Sequence, residues 1–400
     1  MGEHERPVSA LIATRRTPAG VEVALVHHPA GQRVDGDVWA FPPGEGEATG
    51  AGWRAPPFSP VRDDGRFVLG GEAPGAEWVL ARDLLDRWAN DEALVAPWTR
   101  AALAALVDGR PLEDACPAGR GVEVVDLVPG LRVVPVRTPT LPPATHTNCF
   151  VVGDGPEVVV IDPASPFEDE QARLDRLVDG LGRRVREVLL THHHPDHVGG
   201  AERLARRLGA PIAAHARTAE LLLGRGTSVD RLVEDGEAID LPGPRPRRLR
   251  AHLLEGHADG HLVFHEEVTG HVIAGDMVAG TGTIIVDPPE GKMALYLESL
   301  ARLKGLGAPV LYPAHGPPIG DPGGLVDEYV AHRLARERKV LAAVEAGAAP
   351  VEVLVPRAYP EVAPALYPFA ARSLLAHLLK LEAEGRVARA GDGWCARTTS

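Results

Sequence analysis

An α/β fold, a sheet layered with helices, is predicted for the centre of this 400-residue chain on three observations. Short apolar runs that read as buried strands alternate with helical stretches over about 200 residues, the pattern of an α/β domain. The densest group of chemically capable side chains, "EVLLTHHHPDHVGG" at 187–200, ends one of those runs, where α/β folds place their chemistry. The chain is also too long for one ordinary domain, so units of other classes are expected on either side.

Hydrophobic residues make up 44% and charged residues 24% of the chain, the balance of a globular protein with a substantial core. The 44 glycines and 37 prolines call for many turns and compact loops. No run of 18 apolar residues is present, which argues against a membrane span. The opening "MGEHERPVSALIATRR" is acidic near its start and lacks the apolar stretch of a secretory signal. Cys116, Cys149 and Cys395 are widely spaced and odd in number, which fits a reducing compartment. A cytoplasmic location is therefore expected. The net charge of −13 argues against a protein dominated by nucleic-acid contacts. It divides as −6 over residues 1–120, −10 over 121–329 and +3 over 330–400. Only the last stretch leans basic.

In chain order, residues 1–120 open with two strand-like runs, "VSALIATRR" and "VEVALVHHP", joined by the turn "TPAG". A Gly/Pro-rich stretch and the helical pattern of 81–109 follow, so an α+β unit is expected. Gly109, Pro111 and "CPAGRG" mark its boundary. Residues 121–324 carry the strand runs of the α/β domain, among them "LRVVPVRT", "EVVVIDP", "REVLLTHH" and "TGTIIVDPP". A charged linker helix is expected over 325–348. Residues 349–400 read as helices followed by a Gly-turned hairpin, a winged-helix-like unit, with a helical cap on the middle domain as the alternative.

Four of the 17 histidines fall within six positions, His192, His193, His194 and His197, around Asp196. His192 and His194 offer two imidazoles to one ion, and Asp196 with His197 a carboxylate and an imidazole to another. His, Asp and water suit zinc and related divalent metals. Further candidates each follow a strand run: His257 in "LLEGHADGHLVF", Asp276 in "VIAGDMVAG", where a carboxylate could bridge two ions, and His315 in "VLYPAHGPP". All could converge on one edge of the sheet. His193 reads as a spacer, and His261 and His265 as satisfied or exposed histidines. His215 and His252 show no partner in sequence. Asp162, closing "EVVVIDP", reads either as a strand-end cap or as part of the site.

This ordered set resembles the metallo-β-lactamase superfamily, over roughly residues 125–320. The resemblance implies an αββα sandwich, two packed sheets flanked by helices. It implies a first metal held by His192, His194 and His257, a second by Asp196, His197 and His315, with Asp276 bridging. Asp162 would support the ligands from behind. Two divalent ions, zinc by the nature of the ligands, would activate water for attack on a carbonyl or phosphorus centre. Asp196 would also orient the nucleophile. The expected reaction class is metal-assisted hydrolysis.

Downstream, "GTGTIIVDPPEGKMALYLESLARL" and the tail "FAARSLLAHLLKLEAEGRVARAGDGW" are similar to the beta-lactamase-like protein 2 group. That group joins the metal domain to a C-terminal winged helix and includes single-strand endoribonucleases and thioesterases acting on acyl carriers. Only 39 positions separate Asp276 from His315, too few for the inserted domain of the β-CASP nucleases. The N-terminal strands resemble the start of a Nudix domain, but no R-E-x-x-E-E helix occurs between residues 48 and 100. A degenerate, noncatalytic Nudix-like domain is the reading. The alternative is an unrelated α+β unit aiding homodimerisation or substrate access.

For the substrate, single-stranded RNA is favoured narrowly, since a basic winged helix could track phosphates. The −10 of the middle segment opposes it. Acyl thioesters are the alternative substrate. Two other functions compete: a mononuclear iron persulfide dioxygenase, and a nucleic-acid-binding scaffold with a structural metal domain. A complete set of Asp196, His197 and His315 favours two metals and hydrolysis.

Overall fold

The structure, a computed structural model, describes residues 8–10, 14–17, 20–28, 38–40, 53–55, 76–90, 94–95, 97–110 and 124–397. In the N-terminal segment, β1 (Val8–Ala10) pairs with β5 (Trp53–Ala55). The two runs around "TPAG" form the expected hairpin, β2 (Thr14–Thr17) against β3 (Gly20–His28). β4 (Val38–Ala40) and β6 (Ala76–Leu80) also pair with β3, and β7 (Leu94–Val95) pairs with β4. Two helices, α1 (Ala81–Ala89) and α2 (Pro97–Asp108), follow the last long strand. Of the stretch 48–100, where the diagnostic Nudix helix is missing from the sequence, residues 48–52, 56–75, 91–93 and 96 lie outside the described residues.

The centre is two sheets packed face to face. The first orders its strands β14-β13-β12-β11-β10-β9-β8: β8 (Val125–Val128), β9 (Leu131–Arg137), β10 (His146–Val152), β11 (Glu157–Ile161), β12 (Arg184–Leu189), β13 (Ile212–Ala214) and β14 (Arg231–Leu232). It is antiparallel from β8 to β11 and parallel from there to β14. The second sheet, β15 (Ala238–Leu241), β16 (Arg247–Leu253), β17 (Leu262–Glu266), β18 (Val272–Gly275) and β19 (Leu311–Pro313), is antiparallel except for its last pair.

Strand side chains alternate between faces, and that alternation builds the layers. Phe150, Val152, Val159, Ile161 and Leu189 point inward and meet Leu249, Ala251, Phe264, Ile273 and Tyr312 of the other sheet. Phe150 and Tyr312 meet edge-on at 6.3 Å between ring centres. The alternate residues Cys149, Val151, Val158, Val160 and Val188 face outward onto α3 (Glu168–Gly180) and α5 (Ala201–Leu208), through Leu174, Val178, Leu204 and Ala205. The short α4 (Pro195–Val198) precedes α5, and α6 (Ala216–Leu223) adds Leu222 to the same layer. On the far side, Val263, Val272, Ala274 and Leu311 pack on α7 (Met293–Gly305) through Met293, Tyr296, Leu300 and Leu303. The layering is αββα. Burial of both faces is why the strands read as continuous apolar runs.

One expected strand is absent. "TGTIIVDPP" forms an irregular loop. Ile284 and Val286 are buried against the outer helix layer, which explains the apolar run. Its backbone carbonyls serve side chains instead of a ladder: Ile284 O accepts from Arg333 and Ile285 O is bonded by His257.

The long helix α8 (Pro322–Glu345) starts earlier than the sequence pattern predicts. The Asp321 side chain accepts from Gly324 N at 2.9 Å and Pro322 occupies the first turn, both favourable at a helix start. Its first half lays Val326, Tyr329 and Val330 on the second sheet's helix layer. Its last turns give Val340, Ala343 and Val344 to a separate core with α9 (Val351–Ala358), α10 (Tyr367–Ala383) and the hairpin β20 (Val387–Ala390)–β21 (Gly393–Ala396). Trp394 is buried at the centre of that core.

Candidate metal centre

Every predicted ligand lies at one end of the sandwich, in the loops that follow β12, β16, β18 and β19. Past β12 the chain runs through Thr191 to His194 and turns into α4 with Pro195 at its first position. The closing glycines have a steric reason. A side chain on Gly200 would approach Pro163 O to 2.3 Å, and one on Gly199 would approach Ala164 O to 2.6 Å. These glycines let the run pack against the backbone that follows Asp162.

The predicted ligands fall into two sets. His192, His194, His257 and Asp276 present atoms all within 4.8 Å of one another, and so do Asp196, His197 and His315. Nδ1 of His194 lies 2.9 Å from Nε2 of His192 and 3.0 Å from Nε2 of His257. The Asp276 carboxylate divides between the sets. Its Oδ2 is 3.4 Å from His257 Nε2, and its Oδ1 is 3.5 Å from His197 Nε2 and 3.4 Å from His315 Nε2. Asp196 Oδ2 reaches within 3.6 Å of His315 Nε2.

The outward ring nitrogens are held by the protein. His257 Nδ1 donates to Ile285 O at 2.9 Å and His315 Nδ1 to His146 O at 3.0 Å. His197 Nδ1 meets Asp162 Oδ2 at 2.8 Å. Such bonds fix the tautomer and turn the Nε2 lone pair inward, as metal-binding histidines require. The inward atoms are not satisfied by protein: His197 Nε2 and Asp276 Oδ1 are buried without a hydrogen bond. Buried polar atoms are seldom left so, and a cation among these lone pairs removes the deficit. The donor set suits a divalent metal.

Electrostatics point the same way. Burial together with neighbouring imidazoles lowers His194 to about 2 and pushes His192 well below its ordinary range, so both present neutral nitrogens. Burial works against protonation of His197 too, but the carboxylates of Asp276 and Asp162 outweigh it and raise the group well above its usual value. Burial raises Asp276, yet His315 and His197 hold it well below the carboxylate range.

Asp162 is bound into the centre. Its Oδ1 accepts from Thr191 N at 2.8 Å and its Oδ2 from the Thr191 hydroxyl at 2.6 Å, beside the bond to His197. Its backbone stands at φ 48, an uncommon conformation for a residue with a side chain, and such outliers cluster at functional sites. Thr191 is absent from the predicted site residues, although its place between the strand and the first histidine is a signal that could have found it. His193 lies beside the first set, with Nε2 2.7 Å from Glu290, and these two residues and His194 present a third group of ligand atoms within 4.8 Å of one another. Glu290 carries no sequence signal. His261 is buried, and its Nε2 accepts from Asp276 N at 3.1 Å. His215 caps α6 by accepting from Arg217 N, and His252 lies beside His265.

Comparisons with known proteins fit this geometry. The family profile described as the Metallo-beta-lactamase superfamily matches residues 142–315, and that of the Beta-lactamase associated winged helix domain matches 351–394. The fold is similar to that of a metallo-beta-lactamase family protein from Thermus thermophilus, with 30% identity, a TM-score of 0.58, and coverage of 68% of this chain and 100% of that one. A Beta-lactamase-like protein 2 homolog from Caenorhabditis elegans is 27% identical over 49% of this chain and 64% of its own length. An atrochrysone carboxyl ACP thioesterase from a Cryptosporiopsis species is 30% identical over 50% of this chain and 58% of its own. The matched region thus spans less than two thirds of these curated relatives.

Proposed function

This chain belongs to the metallo-β-lactamase superfamily, and from that premise we propose that it is a two-metal hydrolase of acyl thioesters. The observation that carries the hydrolase reading is the divided carboxylate of Asp276, with one oxygen facing each set of imidazoles. His192, His194 and His257 would hold one ion, Asp196, His197 and His315 the other, and Asp276 both. Two zinc ions there would supply a hydroxide nucleophile at neutral pH and polarise the carbonyl under attack. Asp196, the least buried carboxylate of the set, is placed to orient that nucleophile. Asp162 and Thr191 keep His197 in the tautomer that faces inward.

The substrate preference shifts from RNA to thioester for a reason in the C-terminal unit. Its positive charges are largely spent internally. Lys380 and Arg386 face Glu337 and Glu384, Arg389 faces Glu382, and Arg372 pairs with Asp287. On the adjoining helix, Arg336 and Lys339 share Glu361. Paired cations have little left for a phosphate backbone, whose binding depends on neutralisation by free Lys and Arg. A thioester carbonyl needs no basic approach. The ACP thioesterase among the relatives supports this choice.

We keep residues 1–120 as a degenerate, noncatalytic Nudix-like unit, 121–324 as the metal domain, 325–348 as the joining helix and 349–400 as the winged helix. In the test of substrate, zinc-loaded enzyme is given acyl-pantetheine thioesters and, separately, an unstructured RNA oligonucleotide across a salt series. Thiol release that is insensitive to salt is expected. RNA cleavage that weakens steeply with salt, without thiol release, would overturn the thioester reading and restore RNA.

A further inference from the structure

The C-terminal helices contact the loop of residues 281–292, which borders the metal centre. Four side chains tie that loop down. Arg333, from the middle of α8, donates to Ile284 O. Arg372 of α10 pairs with Asp287. Glu290 binds the buried His193, and Lys292 binds Asp259. The next carbonyl after Ile284, that of Ile285, is the one that holds His257 Nδ1 at 2.9 Å.

Arg333 stands apart from the other three. It is 5% exposed, and a guanidinium is expensive to bury. Nothing in the hydrolytic chemistry accounts for it, since it touches neither ligand set. Its second contact leads back to the centre. The guanidinium carbon lies 5.5 Å from the ring centre of Tyr296, and the Tyr296 hydroxyl donates to Met277 O at 2.8 Å, beside Asp276. The backbone of Tyr296 also lies so close to Gly256 that a side chain there would meet Tyr296 N at 2.2 Å. Gly256 precedes His257. Tyr329, one turn before Arg333 on α8, accepts from Ala279 N at 3.1 Å. The helix therefore holds the segment that follows Asp276 directly, and reaches His257 through Ile284 and through Tyr296.

We propose that Arg333 is a positioning residue for the first metal set. By holding the Ile284 carbonyl, it fixes the planar peptide that leads into Ile285, and so sets the carbonyl that orients His257. The winged-helix unit and its joining helix are then part of the metal centre's construction. This rests on the two-metal reading above. Removing partners one step behind a metal ligand ordinarily costs about 10- to 100-fold in metal affinity.

The test is metal affinity of the full chain, by competition with a chromogenic chelator, together with the visible absorption of the cobalt(II)-loaded protein. Arg333→Met is expected to retain its fold by circular dichroism. It should bind one ion as wild type does, and the other about 10- to 100-fold more weakly, with an altered cobalt spectrum. Arg333→Lys keeps a donor for Ile284 O and should recover part of the loss. Unchanged affinities in folded Arg333→Met would overturn the proposal, as would an equal loss at both sites with no recovery by lysine. If Arg333→Met does not fold, Arg372→Ala decides, because it frees the same loop from the surface: weakening of one ion supports the proposal and unchanged affinity for both overturns it. Failure of wild type to bind two ions would instead remove the reading on which the proposal rests.

Discussion

Two buried carboxylates, Asp276 and Glu337, meet different surroundings in this molecule. At the metal centre, His197 Nε2 and Asp276 Oδ1 are buried with no hydrogen bond, while their neighbours are held from behind by Asp162, Ile285 and His146. In the C-terminal unit, Glu337 is as buried as Asp276 but gathers Lys380 and Arg386 around it, although the ring nitrogens of the neighbouring His377 lack a hydrogen bond. The first region spends folding energy on keeping lone pairs free; the second spends its charges on itself. Unpaired lone pairs from several side chains that converge on one point mark a place for a ligand, and a carboxylate ringed by cations marks architecture.

Asp276→Ala removes the carboxylate common to both ligand sets. Turnover of the zinc-loaded enzyme is expected to fall at least about 1,000-fold, or roughly 4 kcal/mol of transition-state stabilisation. Circular dichroism should show the fold intact. Wild-type turnover in a folded variant with two bound ions would remove Asp276 from the centre.

Asp162→Asn tests support rather than ligation. The amide keeps the size of the side chain but changes what it offers to Thr191 and His197 Nδ1. Metal affinity should drop about 10- to 100-fold, read by chelator competition. Equal affinities would mean that Asp162 only closes its strand.

Metal binding should also release protons. The folded-state value of His197 is raised by Asp276 and Asp162 against the pull of burial. In metal-free protein, its contribution to stability is therefore full below the unfolded histidine value and lost as pH rises through the raised folded value. A metal needs the neutral ring, so at least about one proton per chain should leave as the second set fills. Affinity should accordingly rise with pH. An indicator dye in weakly buffered solution reads this, and proton uptake would contradict it.

The smallest effect belongs to the matched region. The double variant Arg386→Ala, Arg389→Ala loses only partly exposed ion pairs, typically worth about 0–1 kcal/mol each. Its KM for a thioester should stay within about twofold of wild type. A rise in KM for RNA with a shallower salt dependence would show instead that these arginines face phosphates.

Much of the centre is legible in the amino-acid sequence. His192, His194, Asp196 and His197 lie close in the chain, and a strand that ends in such a run delivers them to one place. His257, Asp276 and His315 are readable because each follows an apolar strand, and strands of one sandwich end at a common edge. The layering is legible too, in runs such as 157–161 and 187–190 that suit strands buried on both faces. The run at 281–289 misleads for the same reason that makes the others reliable. Its apolar residues are continuous in sequence, but Ile284 and Val286 pack within a loop against helices, and period alone does not separate a buried strand from a buried loop.

Residue type and spacing therefore specify the candidate ligands, their order and the sheet edge on which they meet, because local spacing and strand alternation act over a few residues. Only the tertiary structure decided which neighbours complete them: Thr191 and Asp162 behind His197, Glu290 on His193, Ile285 O on His257, and Arg333 reaching Ile284 O across 49 positions of chain. It also decided that Lys380, Arg386 and Arg389 are paired with carboxylates. A net charge counts ions wherever they lie, whereas a hydrogen bond or an ion pair exists only at contact distance, and contact between distant residues is set by how helices and sheets pack.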